Sequence, residues 1–252
     1  MSTPFEIPEP DADCRIIPVF LLVDVSGSMT TKVIENGVQS NLSRIDLVNR
    51  NMRLMLEEMG KNSSDTNELD VCIIAFGSDA ECIMNLCAAE QAPWRDLQAG
   101  GATNLAAALR MAKAMVEDRT KMPRSSGRPF FVLVSDGHPY PSEQHWQEEL
   151  QKFTSEGRTA RSFRFALGIG GGTDEDMLKQ FISGEPDKFL RHVNDALGII
   201  EFFEYITSQI ITFSKTNTLP GEQRPQERTG QRTVFSSVSQ KPKQAPKRNP
   251  FM

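Results

Sequence analysis

Histidine is scarce in this 252-residue chain, with three residues, and the four cysteines, Cys14, Cys72, Cys82 and Cys87, form no C-x-x-C pair. Neither type has the spacing of a zinc site. Cys72 sits in the apolar run Val-Cys-Ile-Ile, where a buried, reduced thiol is expected, so the reading is a cytoplasmic protein. Long apolar runs are missing too. The longest, Ile16 to Val23, falls short of the roughly 20 residues a bilayer requires, and no membrane contact is expected. A basic leader is also absent. The first fifteen residues hold Glu6, Glu9, Asp11 and Asp13 against Arg15 alone, the reverse of a secretory signal.

What is present is enough apolar material for a substantial core: 38% hydrophobic and 24% charged residues, with a net charge of −5. The length suits one large α/β domain or two small ones. The charge is unevenly spread. Residues 1–214 carry 20 Lys and Arg against 31 Asp and Glu, whereas residues 215–252 carry 8 against 2. Three zones follow: an irregular, proline-containing lead-in over 1–15, an acidic globular body over 16–214, and a basic tail over 215–252. The tail is rich in Pro, Gln, Ser and Thr and is predicted to be disordered, because it cannot bury enough surface to offset its ordering entropy.

Within the body, the runs Val19–Val23, Val71–Phe76 and Phe130–Val134 are apolar on both faces, as buried parallel strands are. Pro18 is expected at the start of the first, since it cannot donate to a ladder. Phe163 to Ile169 reads as a weaker fourth strand and Ala80 to Leu86 as a short edge strand. Helical spacing links Ile45, Val48, Met52, Met55, Leu56 and Met59, with a capping-box start at Ser43 and Asp46. Further helical stripes run from Leu105 to Val116, over 142–156 and 174–183, and from Ile199 to Phe213. Alternating strands and helices predict the α/β class, a Rossmann-like, doubly wound, mainly parallel sheet with helices on both faces.

The first strand ends in Asp24-Val25-Ser26-Gly27-Ser28, a D-x-S-x-S arrangement. Binding sites in such sheets gather beyond the carboxyl ends of strands. A second loop, Gly100-Gly101-Ala102-Thr103, leads to a helix and places Thr103 in its first turn. A third strand ends at Asp136-Gly137. Two carboxylates and three hydroxyls at one end of a sheet form an all-oxygen set suited to a hard cation, Mg²⁺ above Ca²⁺ or Mn²⁺, with nothing soft enough to select zinc.

These residues resemble the metal-ion-dependent adhesion site of the von Willebrand factor A domain, over roughly residues 16–213. The wider strings Pro18–Asp24, Leu97–Thr103 and Ser135-Asp136-Gly137-His138-Pro139 are similar to the bacterial TerY-like branch, found with tellurite-resistance and stress genes. The resemblance implies Ser26 and Ser28 as direct ligands, Thr103 as direct or water-bridged, and Asp24 and Asp136 acting mostly through water. It implies a non-catalytic adaptor that binds a partner's acidic group, with a Ser/Thr kinase and a PP2C-type phosphatase as candidate partners. Residues 30–42 depart from the pattern by making a longer link to the first helix.

A Mg²⁺-dependent, phosphatase-like hydrolase using the same carboxylates is the alternative, although no G-x-S-x-G elbow or Walker loop is present. His138 reads as a surface residue. Gly168–Thr173 lacks a phosphate-cradle pattern, so its glycines are expected to serve packing and positive φ. In the tail, Thr229, Thr233, Ser236, Ser237 and Ser239 lie among Arg228, Arg232 and Lys241 and are candidate phosphorylation sites. Nucleic-acid binding is disfavoured, because the tail's charges are dilute and the body is acidic.

Overall fold

A computed structural model describes residues 15–217, apart from 65, 124 and 140–142. The lead-in before Arg15 and the chain beyond Asn217, with all five candidate phosphorylation sites, lie outside the described residues; the expected tail start at 215 moves, because Lys215 and Thr216 close the last helix. A six-stranded sheet forms the centre, in the order β5-β4-β1-β6-β7-β8. Its strands are β1 (Arg15–Asp24), β4 (Asn67–Phe76), β5 (Ala80–Ala88), β6 (Phe130–Ser135), β7 (Phe163–Ile169) and β8 (Leu190–Val193). All pairings are parallel except β4 with β5. Helices α1 (Arg44–Asn62) and α6 (Ala196–Thr216) pack together on one face. On the other lie α2 (Leu105–Glu117), α3 (Glu143–Ser155) and α4 (Glu175–Phe181), while the short α5 (Pro186–Phe189) precedes edge strand β8. The expected doubly wound α/β architecture is therefore present.

The strand cores are buried on both faces, as their unbroken apolar runs require: every residue of β6 and β7 is buried. The Met stripe of α1 is equally buried, and Ser43 closes the capping box, its amide donating to Asp46 at 2.8 Å. Helix α6 is, among the described residues, the one helix long and apolar enough to cross a membrane. Its Ile199, Phe203, Ile206, Ile210 and Phe213 are packed into the core.

Three local expectations need correction. Pro18 is the fourth residue of β1 rather than its first. The amides of Arg15 and Val25 both donate toward β4, to Thr66 and Phe76, so alternation aims Pro18's missing donor at the opposite side. There the ladder with β6 begins one residue later, at Val19, and no bond is forfeited. The link over 30–42 is a β-hairpin, β2 (Lys32–Glu35) and β3 (Val38–Ser43). Asn36 and Gly37 both have positive φ, 52° and 78°, the signature of a type I′ turn. Thr103 precedes α2 rather than lying in its first turn; Asn104 is the cap, accepting from Ala107 at 3.1 Å.

Candidate metal centre

The chain leaves β1 toward β4 on one side and returns through α2 to β6 on the other. The crevice between the carboxyl ends of β1 and β6 is thus the switch point of the sheet. Asp24 closes β1 and is fully buried. Its Oδ1 accepts from the Ser26 amide and its Oδ2 from the Ser135 hydroxyl, both at 2.8 Å. Burial outweighs these bonds and pushes the carboxyl up to about 6, with the like charge of Asp136 adding to the rise.

After Ser26 the chain makes a 3₁₀ turn over Gly27–Thr30, which folds the second serine back onto the first. The Ser26 and Ser28 hydroxyl oxygens are 2.9 Å apart, and the Ser28 hydroxyl donates to Asp136 Oδ1 at 2.6 Å. The glycine loop is fastened to this turn. Gly100 donates to the Val25 carbonyl at 2.6 Å and Gly27 to the Gly101 carbonyl at 3.0 Å. Gly101 has φ +88°, a conformation that L side chains rarely take. A Cβ added at Gly137 would lie 3.6 Å from Thr103 Oγ1 and 3.8 Å from Ser28 Oγ. The two hydroxyls therefore flank one bare glycine, and all five predicted side chains converge.

Two further residues escaped the sequence reading. Ser135 orients Asp24, as above. Arg44, the first residue of α1, places Nη1 2.6 Å from Asp136 Oδ2, whose side chain is wholly buried. Gly170 makes room for it: this glycine has φ +82°, and a Cβ there would collide with the Arg44 guanidinium. The glycine-rich turn after β7 therefore serves close packing. A signal for Arg44 did exist. A cation in the first turn of a helix opposes the helix dipole, and such a local conflict marks a compensated position. His138 stays at the surface, its side chain 72% exposed and 3.4 Å from Asp174.

The donor chemistry fits a hard divalent cation. Adjacent ligands at the Mg–O distance of an octahedron lie about 3 Å apart, close to the spacing of the two serine oxygens. Among the described residues no group of three or more His, Cys, Asp or Glu is placed to hold a metal, so the hydroxyls are essential to the set.

A doubly wound sheet with hydroxyls and carboxylates at its switch point defines the class. Residues 19–138 match the family model of the von Willebrand factor type A domain. No curated protein sequence matches the chain. Solved structures share the fold at low identity. A von Willebrand factor type A protein from Catenulispora acidiphila is 14% identical, with a TM-score of 0.55, over 78% of this chain and 43% of that one. The PilB minor pilin of Streptococcus sanguinis is 14% identical, TM-score 0.56, over 80% and 62%. Proximal thread matrix protein 1 from the mussel byssus is 15% identical, TM-score 0.58, over 79% and 48%, and was solved with a zinc-occupied MIDAS motif. This chain thus spans about half of those relatives' lengths. The zinc in the mussel protein shows that the softness argument does not by itself exclude zinc from such a motif.

Proposed function

We propose that this chain is a non-catalytic, metal-dependent protein-binding adaptor. Ser26, Ser28 and Thr103 would hold a divalent cation, with Mg²⁺ preferred, and Asp24 and Asp136 would act mostly through water. The observation that carries the reading is the convergence of these five side chains at the switch point of the sheet. When bound, the cation supplies an attachment point for an oxygen anion, because neutral hydroxyls leave much of its charge unspent. Arg44 adds a second positive group beside it, which favours a partner's Asp or Glu carboxylate. Apolar surface at the same end favours a protein partner. Among the described residues the exposed large hydrophobics are Ile34, Val38 and Leu42 of the hairpin and Leu197 at the start of α6, and Ile34 bridges to Asp195 at that helix's cap. Contiguous exposed apolar side chains mark interaction surfaces.

A hydrolase reading is less well served. Both carboxylates are engaged by hydroxyl, amide or guanidinium donors, and neither is free to act as a base on water. Mg²⁺ titration of the full chain by calorimetry, followed by partner capture in Mg²⁺ and in EDTA, tests the adaptor; unchanged capture in EDTA overturns it. A phosphatase assay with Mg²⁺ tests the hydrolase. The finer assignment rests on the TerY-like strings: a cytoplasmic stress-response or defence role, with a Ser/Thr kinase and a PP2C-type phosphatase as partners. Its test is mass spectrometry of Thr229, Thr233, Ser236, Ser237 and Ser239 after incubation with a Ser/Thr kinase.

A further inference from the structure

Three sulfurs meet beneath the β5 edge of the sheet. Side chains alternate along a strand, so Cys72 of β4 shares the face of Ile74, and Ile74 is the register partner of Cys82 on β5. Both thiols therefore point to one layer, the one in which α2 packs over β4 and β5. From that helix Met115 brings Sδ to 4.0 Å from Cys72 Sγ, and Cys72 and Cys82 share a hydrogen bond. The ladder is irregular at this point. Ile73 faces Met84 while Ile74 faces Cys82, which leaves Ile83 as the extra residue of a bulge. The bulge turns the Met84 amide to the Cys82 sulfur, and the Cys82 thiol lies 3.6 Å from Asn85 Oδ1.

The group is closed on the inside and open at the edge. Cys72 and Met115 are buried, whereas Cys82 is half-buried and gives a path from solvent. Its donors are soft and polarizable. At a metal–sulfur distance of about 2.3 Å, three sulfurs around one ion stand about 4 Å apart, the spacing of Cys72 and Met115. Thiolate and thioether donors together select Cu(I) over the harder Mg²⁺. Among the described residues no third His, Cys, Asp or Glu joins the two thiols, so the four-coordinate shell of a structural zinc is not provided. A Cu(I) ion held by two thiolates and a thioether carries one surplus negative charge. The ammonium of Lys121, beyond the end of α2, acts on both thiols and offsets that charge, although it also pairs with Asp118 at 4.0 Å.

We propose that Cys72, Cys82 and Met115 form a second metal site, separate from the oxygen-lined centre, whose ligand is the soft monovalent cation Cu(I). Binding breaks two S–H bonds and forms two Cu–S bonds, both protons leave to solvent, and no oxidation state changes. The bound ion ties edge strand β5 to α2. Cu(I), supplied anaerobically as its bicinchoninate complex to the full reduced chain, is the probe. The unaltered chain should withdraw one equivalent and develop a near-ultraviolet sulfur-to-copper charge-transfer band, and C14S/C87S should do the same. C82S should withdraw none. M115L, a volume-conserving change, should bind at least about tenfold more weakly. An unchanged circular dichroism spectrum checks the folding of each variant. No withdrawal by the unaltered chain, full withdrawal by C82S, or loss of binding in C14S/C87S overturns the site. Full affinity in M115L with the same band overturns the three-sulfur assignment.

Discussion

At the carboxyl ends of β1 and β6 two buried carboxylates are held by hydroxyls, an amide and the single guanidinium of Arg44, whereas at the amino ends of β6 and β7 arginines crowd together and lean on carbonyls and an aromatic ring. The difference follows from how each charge bears burial. A carboxylate is compact, and burying it lifts its protonation into the region of about 6, as at Asp24. A guanidinium spreads its charge over five donors and a flat apolar face, and keeps it while half-buried. Asp70, on β4, sharpens the point. It too is pushed up to about 6 by burial, with Glu68 adding to the rise, but its Oδ1 has no hydrogen-bond partner and no hydroxyl set surrounds it. Burial alone does not make a metal site; convergent oxygen donors do.

The largest effect is expected from Ser28→Ala, which removes a proposed ligand and the donor to Asp136 together. Mg²⁺ affinity measured by calorimetry should fall by about 100-fold, while the midpoint of thermal unfolding in EDTA changes little. Asp70→Asn should act in the opposite sense, on stability alone. The folded Asp70 carboxyl holds its proton more tightly than the unfolded one, so its contribution to stability falls as pH rises from about 4 to about 6 and stays unfavourable above that. Removing the charge should raise stability at pH 7 by about 2 kcal/mol, the difference vanishing near pH 4. Urea unfolding at the two pH values measures it. Equal gains at both would mean that packing, not charge, is responsible. Gly170→Ala comes next, at about 1–2 kcal/mol of destabilisation, since the residue has positive φ and would strike Arg44. A gain of Mg²⁺ affinity without a loss of stability would show that the guanidinium yields instead and releases Asp136.

Most of the fold was legible because its signals were one-dimensional. Continuous apolar runs marked β1, β4 and β6, and the Ser43 to Asp46 spacing marked the start of α1. The convergence of the candidate site was legible because D-x-S-x-S packs three of its side chains into five residues, and because Thr103 follows a glycine pair and Asp136 precedes a glycine. The hairpin over 32–43 was missed although Asn36-Gly37 is a strong turn signal, because the segment read only as a long link. Pro18 was misplaced because periodicity cannot tell which side of a strand lacks a partner. Strand β8, four residues with two exposed, carries too short a run to announce itself. Arg44 was hidden for a different reason. Its partner Asp136 lies 92 residues away, and only the folded sheet brings the two ends together.

Arg44 also supplies the finest test of the comparison between the two poles. If the guanidinium merely fills space, its removal should leave Mg²⁺ binding unchanged. If it neutralises Asp136 before a cation arrives, metal and arginine compete for one carboxylate, and Arg44→Gln should strengthen Mg²⁺ binding several-fold, roughly 1 kcal/mol for a partly exposed pair. The same substitution removes a positive group from the rim, so capture of an acidic peptide at saturating Mg²⁺ should weaken. Opposite movements of the two affinities in one variant are the expected result, because a purely structural arginine would shift both in the same direction or neither.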